Sequence, residues 1–335
     1  MNQTQNKIVV AGAGSIGCFL GGALVLAGKN VTLFLRERIR DEILAEGLRL
    51  TDYTGFDRQI AASDLHLATD PEVLAEADII LVTVKSTATA EMGDLIHRHG
   101  RADSIVVSFQ NGVSNAHTLS ATLGEERVVA GMVPFNVLSM GGGRFHRGTS
   151  GGLVIGAGMP GLSQMLASPL LMLEEKPDMR AVQWGKLLLN LNNALNALSG
   201  LPLQQQLASR AWRRLIADQM DEALAVLAAA GIEPEKALAL PPRFMPSIMR
   251  LPTPLFRLIA GRMLKIDPNA RSSMWEDLQR RRLTEIDELQ GACVRLAQSV
   301  GMAAPLCERI AGLVRAAEVR GEGSPQLAPE DVASA

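Results

Sequence analysis

The chain contains 335 residues, of which 47% are apolar and 20% are charged, and its formal net charge at pH 7 is −2. A chain of this length favours two domains over a single core. The balanced charge lacks the electropositive surface with which proteins bind nucleic acid or anionic membranes. The cysteines, Cys18, Cys293 and Cys307, are scattered without metal-ligand spacing, which favours a reducing compartment over a disulfide framework.

The first predicted element is a short strand followed by a glycine-rich turn and a helix. Residues 7–11 read KIVVA, and glycines then follow at G-x-G-x-x-G spacing before a small-residue helix pattern that runs to Gly28. In a dinucleotide site the first glycine permits the tight turn, the second admits the pyrophosphate, and the third lets the helix pack on the sheet. The helix N-terminus offers unpaired N–H groups to the phosphates. In this strand–turn–helix context the pattern predicts a dinucleotide-binding loop, formed by Gly12, Ala13, Gly14, Ser15, Ile16 and Gly17.

The uncharged run from residue 8 to residue 28 is long enough to imitate a membrane span. Six of its residues are glycine, and its first half has a strand pattern. A signal peptide would need a basic leader, whereas only Lys7 precedes the run. We therefore expect a cytoplasmic protein without a targeting segment.

The second predicted strand, residues 30–35, ends where dinucleotide sites select between NAD and NADP. Sites that prefer NAD carry an Asp or Glu about 20 residues past the glycines, whereas this strand is followed by Arg36 and Glu37. A guanidinium at position 36 suits the 2′-phosphate of NADPH, which we favour as the cofactor, while Glu37 leaves NAD as an alternative. Arg38 and Arg40 fit a solvated helix face.

Two further buried strands end in polar residues. Residues 78–84 are followed by Lys85, and residues 104–109 are followed by Gln110-Asn111-Gly112. Because the strands alternate with helical stretches, we predict a mainly parallel, doubly wound sheet. Ligands bind outside the carboxyl ends of such strands, so Lys85 and Asn111 join Arg36 as candidate ligands. Taken singly, Lys85 fits a solvated loop lysine equally well.

The second half of the chain changes character, because strand patterns give way to Leu- and Ala-rich helices. We expect an α/β fold with an N-terminal Rossmann-type doubly wound sheet in residues 1–180 and an all-α domain in residues 181–320. The tail, residues 321–335, is expected to be disordered. The apolar helices of the second domain are compatible with a homodimer.

A polar face lies on the first predicted helix of the second half, residues 182–198. Lys186, Asn190, Asn193 and Ala197 share this face at helical spacing. A solvated face would normally carry Glu, Lys or Arg, so a lysine followed by asparagines favours a hydrogen-bonding wall that lines a cleft.

Two capping-box patterns, Ser273-x-x-Glu276 and Thr284-x-x-Asp287, predict a helix break near residues 281–283. A continuous helix would hold Ser273 and Glu285 about 18 Å apart, whereas a break lets both face one small substrate. Ser273 could equally serve as an N-cap alone.

Residues 233–270 hold seven prolines. We interpret this segment as an irregular excursion that either caps a cleft or a partner, or is packed structure without a chemical role. The five histidines show no spacing with Ser and Asp or with metal ligands, so hydrolase and metalloenzyme functions lack support.

Over residues 7–315 the sequence resembles the ketopantoate (2-dehydropantoate) 2-reductase family. The matching segments are Gly12-x-Gly-x-x-Gly17, Val84-Lys85, Gln110-Asn111-Gly112, His146-x-Gly-Thr with Ile155-Gly156, Trp184-x-Lys-Leu with Asn190, Ser272-Ser-Met274 and Thr284-Glu-Ile-Asp287. The last three, in this order and in the helical half, are specific to the family, whereas the glycine motif alone is not.

The resemblance implies that the two domains enclose NADPH and a keto acid, and that the protein reduces ketopantoate to pantoate in pantothenate and coenzyme A biosynthesis. It implies that Lys186 is the catalytic lysine and Glu285 its acidic partner. It places Lys85 near the cofactor and substrate. It further implies a set of substrate ligands, Asn111, Asn190, Ser273 and, in place of a missing family asparagine, Asn193.

The chain departs from the family pattern at two positions. Ala194 stands where the family usually has an asparagine, and Ala88 stands where it often has a glutamine. Two alternatives to ketopantoate reduction therefore stay open. One is an NADP-dependent reductase of another 2-keto or β-hydroxy acid, and the other is a catalytically silent NADP-binding regulator.

Overall fold

The computed structural model describes residues 6–236, 240–261 and 269–333. The chain divides into two compact units, Met1–Met179 and Arg180–Ala335. The division falls one residue from the boundary that the sequence places at residue 180.

The first unit contains two β-sheets. Their strands in chain order are β1 Lys7–Ala11, β2 Asn30–Phe34, β3 Leu48–Asp52, β4 Asp57–Ile60, β5 His66–Ala68, β6 Ile79–Val82, β7 Ile105–Ser108, β8 Val128–Met132, β9 Val137–Ser139, β10 Arg144–Arg147, β11 Leu153–Gly156 and β12 Leu173–Lys176. Its α-helices are α1 Ser15–Leu26, α2 Glu37–Glu46, α3 Thr89–His99, α4 Asn115–Leu123 and α5 Leu162–Met165.

The larger sheet has eight strands in the order β12-β11-β8-β7-β6-β1-β2-β5. Its neighbouring strands are parallel except for the antiparallel pair β8 and β11. Alternate residues of β1 enter different cores, because Ile8 and Val10 belong to one apolar cluster and Val9 and Ala11 to the other. Burial on both faces explains why these strands read as continuous apolar runs. The predicted doubly wound fold is confirmed.

The order of the strands reverses at β1, which is the place where such sheets bind ligands. Ala11, the last residue of β1, pairs with Phe34 at the end of β2 and with Val82 at the end of β6. The glycine loop, Arg36 and Lys85 therefore follow strands that end at one edge of the sheet.

The smaller sheet, in the order β4-β3-β10-β9, was not predicted. Strands β3 and β10 pair in parallel although they are far apart in the chain. Leu48 and Leu50 of β3 are fully buried and belong to the same core cluster as Phe19 and Leu20 of α1. The smaller sheet thus joins the core on the α1 side of the larger sheet.

In its described residues the second unit contains helices and no strand. Its helices are α6 Met179–Asn190, α7 Asn192–Ser199, α8 Leu203–Ala208, α9 Arg210–Ala229, α10 Met245–Arg250, α11 Thr253–Ala260, α12 Ser273–Gln279, α13 Ile286–Ser299, α14 Pro305–Arg320 and α15 Pro329–Ala333. The predicted helix over 182–198 is divided at Leu191, which keeps right-handed helical angles. The predicted break near residues 281–283 is confirmed.

The proline-rich excursion is described only in part, since residues 237–239 and 262–268 lie outside the described ranges. Its described part packs on a fully buried arginine of α9, Arg213. The Arg213 guanidinium donates to the carbonyls of Met249 at 3.0 Å and Leu251 at 2.9 Å, and it lies 4.3 Å from the centre of the Phe256 ring. These contacts fix α10 and α11 to α9.

The expected disorder of the tail, residues 321–335, is wrong for residues 321–333. The Ser324 hydroxyl donates to the carbonyl of Ala197 at 2.6 Å, and the Leu327 N–H donates to the carbonyl of Leu198 at 2.9 Å. Val332 of α15 is fully buried. The tail is ordered because its first part is hydrogen-bonded to α7 and α15, which carries Val332, packs on α9 and α14.

Within the described ranges, no helix combines the length and apolar character needed to cross a bilayer. In the same residues, no group of three or more His, Cys, Asp or Glu side chains could hold a metal ion. The three cysteines are free and buried.

Candidate active site

The glycine loop is tied to the end of β2 by its backbone. The N–H groups of Gly12 and Ala13 both donate to the carbonyl of Phe34, at 3.0 and 2.9 Å. Gly12 has a φ of +80°, and a Cβ there would collide with the Val84 side chain. The turn therefore requires glycine at this position.

The space beside Gly14 is open. A Cβ added to Gly14 would have no neighbour closer than 3.9 Å. Gly14 is also the N-cap of α1, so no side chain caps this helix, and its first turn contains no acidic residue. An uncapped helix N-terminus beside open space is suited to an anion. At Gly17, in contrast, a Cβ would collide with Thr83, so this glycine allows close packing of helix on sheet.

Arg36 lies close behind the end of β2. It is exposed and immediately precedes α2. Among the described residues its guanidinium has no hydrogen-bond or ion-pair partner, whereas Arg38 pairs with Glu42 and Arg40 pairs with Asp41. The latter two arginines therefore behave as the solvated helix face that the sequence predicts.

A buried polar network follows strands β6 and β7. The Gln110 side chain is buried, and its amide nitrogen donates to the Thr89 hydroxyl at 2.7 Å and to the Val84 carbonyl at 3.1 Å. The Ser108 hydroxyl donates to the Gln110 amide oxygen at 2.9 Å. The side-chain oxygen and nitrogen of Gln110 thus both form hydrogen bonds, and these bonds join the end of β7 to the segment that follows β6.

The same network continues to Asn111. The Thr89 hydroxyl donates to the amide oxygen of Asn115 at 2.7 Å, and the Asn115 amide nitrogen donates to Ser86 at 3.1 Å and to the carbonyl of Asn111. The network fixes the loop that carries Lys85 to the loop that carries Asn111. This network was not predicted from the sequence, although the polar residues that follow the buried strands could have indicated it.

Lys186 and Glu285 interact electrostatically within the helical unit. Lys186 lies half-buried on α6. Burial lowers the pKa of its ammonium group from 10.5 to about 8, and the negative charge of Glu285 opposes this by raising the pKa. Glu285 immediately precedes α13. The structure thus places the lysine within electrostatic reach of the carboxylate with which the family resemblance pairs it.

The asparagine face continues from Lys186 across the division at Leu191. Asn190 ends α6, Asn193 lies in α7, and both are half-buried. Ala194, at which the chain departs from the family pattern, is fully buried. The polar side chains of this face are therefore neither fully solvated nor part of the core, whereas its fourth member, Ala197, is fully buried.

The N-cap of α12 is Ser272, so the predicted capping box at Ser273 is displaced by one residue. The Ser272 hydroxyl accepts a hydrogen bond from the Trp275 N–H at 3.1 Å. Ser273 is exposed, and its hydroxyl has no hydrogen-bond partner among the described residues. At the start of α13 the Thr284 hydroxyl accepts from the Ile286 N–H at 3.2 Å instead of from the Asp287 N–H.

A Rossmann-type unit joined to a helical unit that carries a half-buried lysine is an architecture of dinucleotide-dependent oxidoreductases. Residues 8–159 match the family model described as "Ketopantoate reductase PanE/ApbA", and residues 178–318 match the model of its C-terminal domain. The structure of a PanE/ApbA family ketopantoate reductase from Ralstonia eutropha JMP134 is 31% identical, with a TM-score of 0.80 over 94% of this chain and 99% of that chain. The chain belongs to the ketopantoate reductase PanE/ApbA family.

Two other proteins are similar to this chain over most of its length. The curated 2-dehydropantoate 2-reductase of Halobacterium salinarum is 28% identical over 340 residues, which cover 94% of this chain and all of the relative. A structure of D-mandelate dehydrogenase with NADH and anilino(oxo)acetate is 21% identical, with a TM-score of 0.79 over 94% of this chain and 99% of that chain. At that identity the second likeness shows a shared fold.

Proposed function

We propose that this protein catalyses the NADPH-dependent reduction of 2-dehydropantoate to pantoate, a step of pantothenate and coenzyme A biosynthesis. The observation that carries the proposal is the half-buried Lys186 beside Glu285, with a pKa of about 8, in a chain of the ketopantoate reductase family. A silent dinucleotide-binding regulator would have no need of a desolvated lysine held next to a carboxylate.

The first unit offers the residues that would hold the cofactor. Gly12–Gly17 and the N-terminus of α1 would take the pyrophosphate, and Arg36 would take the 2′-phosphate. Lys85 and Asn111 would lie beside the bound dinucleotide. When bound, this group supplies a hydride to the C2 carbonyl carbon of the keto acid.

Lys186 would donate a proton to the carbonyl oxygen as negative charge develops there. A pKa of about 8 leaves the lysine mostly protonated at neutral pH and makes it a stronger acid than an ordinary lysine. Glu285 favours the charged form of the ammonium group and would hold it in place. The hydroxyl of Ser273 and the amides of Asn111, Asn190 and Asn193 would bind the carboxylate and hydroxyl of the substrate.

A second candidate substrate is another 2-keto acid, or a β-hydroxy acid in the reverse direction. This alternative is favoured by Ala194, which is fully buried and has no polar group with which to replace the amide of the family pattern.

The test is a spectrophotometric assay at 340 nm with purified protein, NADPH and ketopantoate, repeated with NADH and with 2-keto acids that lack the distal hydroxyl. Turnover highest with ketopantoate supports the proposal. Higher turnover with a keto acid that lacks the hydroxyl supports the alternative substrate. NADPH binding without oxidation by any of these acids would support the regulator.

We infer that the partners are a small-molecule keto acid and the cofactor, with neither nucleic acid nor membrane. The free, buried cysteines fit a reducing compartment, which supports a cytoplasmic location. A homodimer is the expected assembly, and light scattering after size-exclusion chromatography measures it.

Replacing Gly14 with alanine is expected to weaken NADPH binding at least roughly tenfold, because the methyl group would occupy the approach of the pyrophosphate to the backbone. The melting temperature should be unchanged, since the added Cβ has no neighbour closer than 3.9 Å. Fluorescence titration with NADPH and thermal unfolding measure the two quantities. The matched control is Gly312→Ala in α14, where a Cβ also meets nothing within 4 Å. NADPH binding by Gly14→Ala as tight as wild type would place the pyrophosphate elsewhere.

Replacing Arg36 with alanine is expected to lower the ratio of kcat/KM for NADPH to that for NADH by roughly 10- to 100-fold, the usual contribution of a hydrogen bond to a charged group. The control is Arg38→Ala, because Arg38 already pairs with Glu42 and should leave the ratio unchanged. An unchanged ratio in Arg36→Ala would exclude this guanidinium as the ligand of the 2′-phosphate.

A further inference from the structure

We propose that Asn196 and Ser272 form a buried positioning pair that places Ser273 and Asn193 for the substrate. The inference rests on the proposed function, since these two residues are its suggested substrate ligands. Neither member of the pair is itself a candidate to touch the substrate, because all the hydrogen-bonding groups of their side chains are used within the helical unit.

Asn196 lies in α7 and is fully buried. Its amide oxygen accepts a hydrogen bond from the Ser272 N–H at 2.8 Å. Its amide nitrogen donates to the carbonyl of Leu201 at 2.9 Å and to the amide oxygen of Gln206 at 3.1 Å. The site therefore needs an acceptor at one end and a double donor at the other, which a neutral amide supplies and a leucine or a carboxylate does not.

Ser272 makes a second bond to the same helix. Its hydroxyl donates to the carbonyl of Asn193 at 2.9 Å and accepts from the Trp275 N–H at 3.1 Å. The backbone N–H and the hydroxyl of Ser272 thus both donate to α7. The same hydroxyl oxygen caps α12. Ser272 is buried, so water does not compete well for these bonds.

The consequence concerns the next residue. Ser273 is the first residue of α12, and it is exposed. Two bonds between Ser272 and α7 fix the start of α12 against the helix that carries Asn193. The spacing between the hydroxyl of Ser273 and the amide of Asn193 is thereby set by groups that lie outside the substrate site.

The test compares Asn196→Leu and Ser272→Ala with wild type in steady-state kinetics. Both variants should raise KM for the keto acid at least roughly tenfold with kcat little changed, which is the signature of lost uniform binding. The Kd for NADPH and the pH at which kcat falls should stay at their wild-type values, because Lys186 and the glycine loop are untouched. Ser272→Thr keeps the hydroxyl and should restore KM.

The matched control is Ser324→Ala. The hydroxyl of Ser324 also donates to a carbonyl of α7, that of Ala197, at 2.6 Å, but Ser324 lies in the C-terminal tail. This variant should lower the melting temperature without raising KM. If Asn196→Leu and Ser272→Ala likewise lower only the melting temperature, the pair is merely structural and the proposal is overturned.

Hydrogen exchange separates this proposal from the proposed function. In Asn196→Leu the amide of Ser272 loses its acceptor, so its exchange should be faster than in wild type, whether or not the protein turns over a keto acid. A wild-type protein that reduces no 2-keto acid would refute the proposed function alone. Unchanged exchange at Ser272 and Trp275 in both variants would refute the positioning pair alone.

Discussion

Replacing Lys186 with methionine is expected to lower kcat for keto acid reduction by about 10²- to 10⁴-fold, the usual contribution of general acid catalysis. Methionine keeps much of the apolar stem of lysine but has no proton to donate and no positive charge to stabilise the alkoxide. Because burial already disfavours the ammonium group, as the lowered pKa of about 8 shows, the variant should fold at least as stably as wild type. Turnover at 340 nm and thermal unfolding measure these effects.

The control for this substitution is Lys29→Met. Lys29 is in the first unit, where its ammonium group donates to the carbonyl of Gln164. The substitution should leave kcat unchanged. NADPH titration of Lys186→Met should give the wild-type Kd, because the cofactor residues belong to the other unit. A Lys186→Met variant that turns over at the wild-type rate would remove Lys186 from the mechanism and with it the main support for the proposed function.

The features that could be predicted from the sequence are those with a local cause. The glycine loop follows from backbone conformation, since Gly12 needs a positive φ and Gly17 a missing side chain. The central strands are recognisable because burial on both faces makes them continuously apolar. The polar face of Lys186 and its asparagines was likewise recognisable from a local pattern, because an ordinary solvated face would carry charged residues in place of the amides.

The features that were missed either lack an apolar pattern or depend on contacts between distant segments. Strand β4 has the sequence DRQI, and its first three residues are exposed, so it shows no apolar pattern. Strands β3 and β10 pair across 95 positions, as the hydrogen bond between the Thr51 hydroxyl and His146 Nδ1 shows. No local propensity specifies such a pairing, because a short strand is stabilised mainly by what packs against it.

The exact N-cap residue of α12 also could not be predicted from the sequence, because it depends on a tertiary contact. Ser272 and Ser273 are adjacent and have the same intrinsic preference for the N-cap. The backbone N–H of Ser272 is held by Asn196 at 2.8 Å, and this tertiary contact determines which serine caps the helix. The tail was mistaken for disorder for a similar reason, since the burial of Val332 is not visible in its polar composition.

Replacing Glu285 with glutamine is expected to lower kcat at pH 8 by about 10²-fold, a typical effect for loss of a group that supports general acid catalysis. In wild type the reduction should slow as pH rises through about 8, because only protonated Lys186 can donate. The charge of Glu285 raises the pKa of Lys186, so its removal must lower that pKa. The falling limb of the pH profile should therefore move to lower pH.

The pH dependence distinguishes this electrostatic role from a loss of shape. Above the pKa, each unit by which the pKa falls lowers the protonated fraction of Lys186 roughly tenfold, so part of the lost activity should return when Glu285→Gln is assayed at lower pH. The control Glu288→Gln changes a carboxylate in the first turn of α13 that pairs with Arg295, and it should leave the profile unmoved. If Glu285→Gln loses activity equally at every pH, Glu285 acts by holding Lys186 in place and not by keeping it charged.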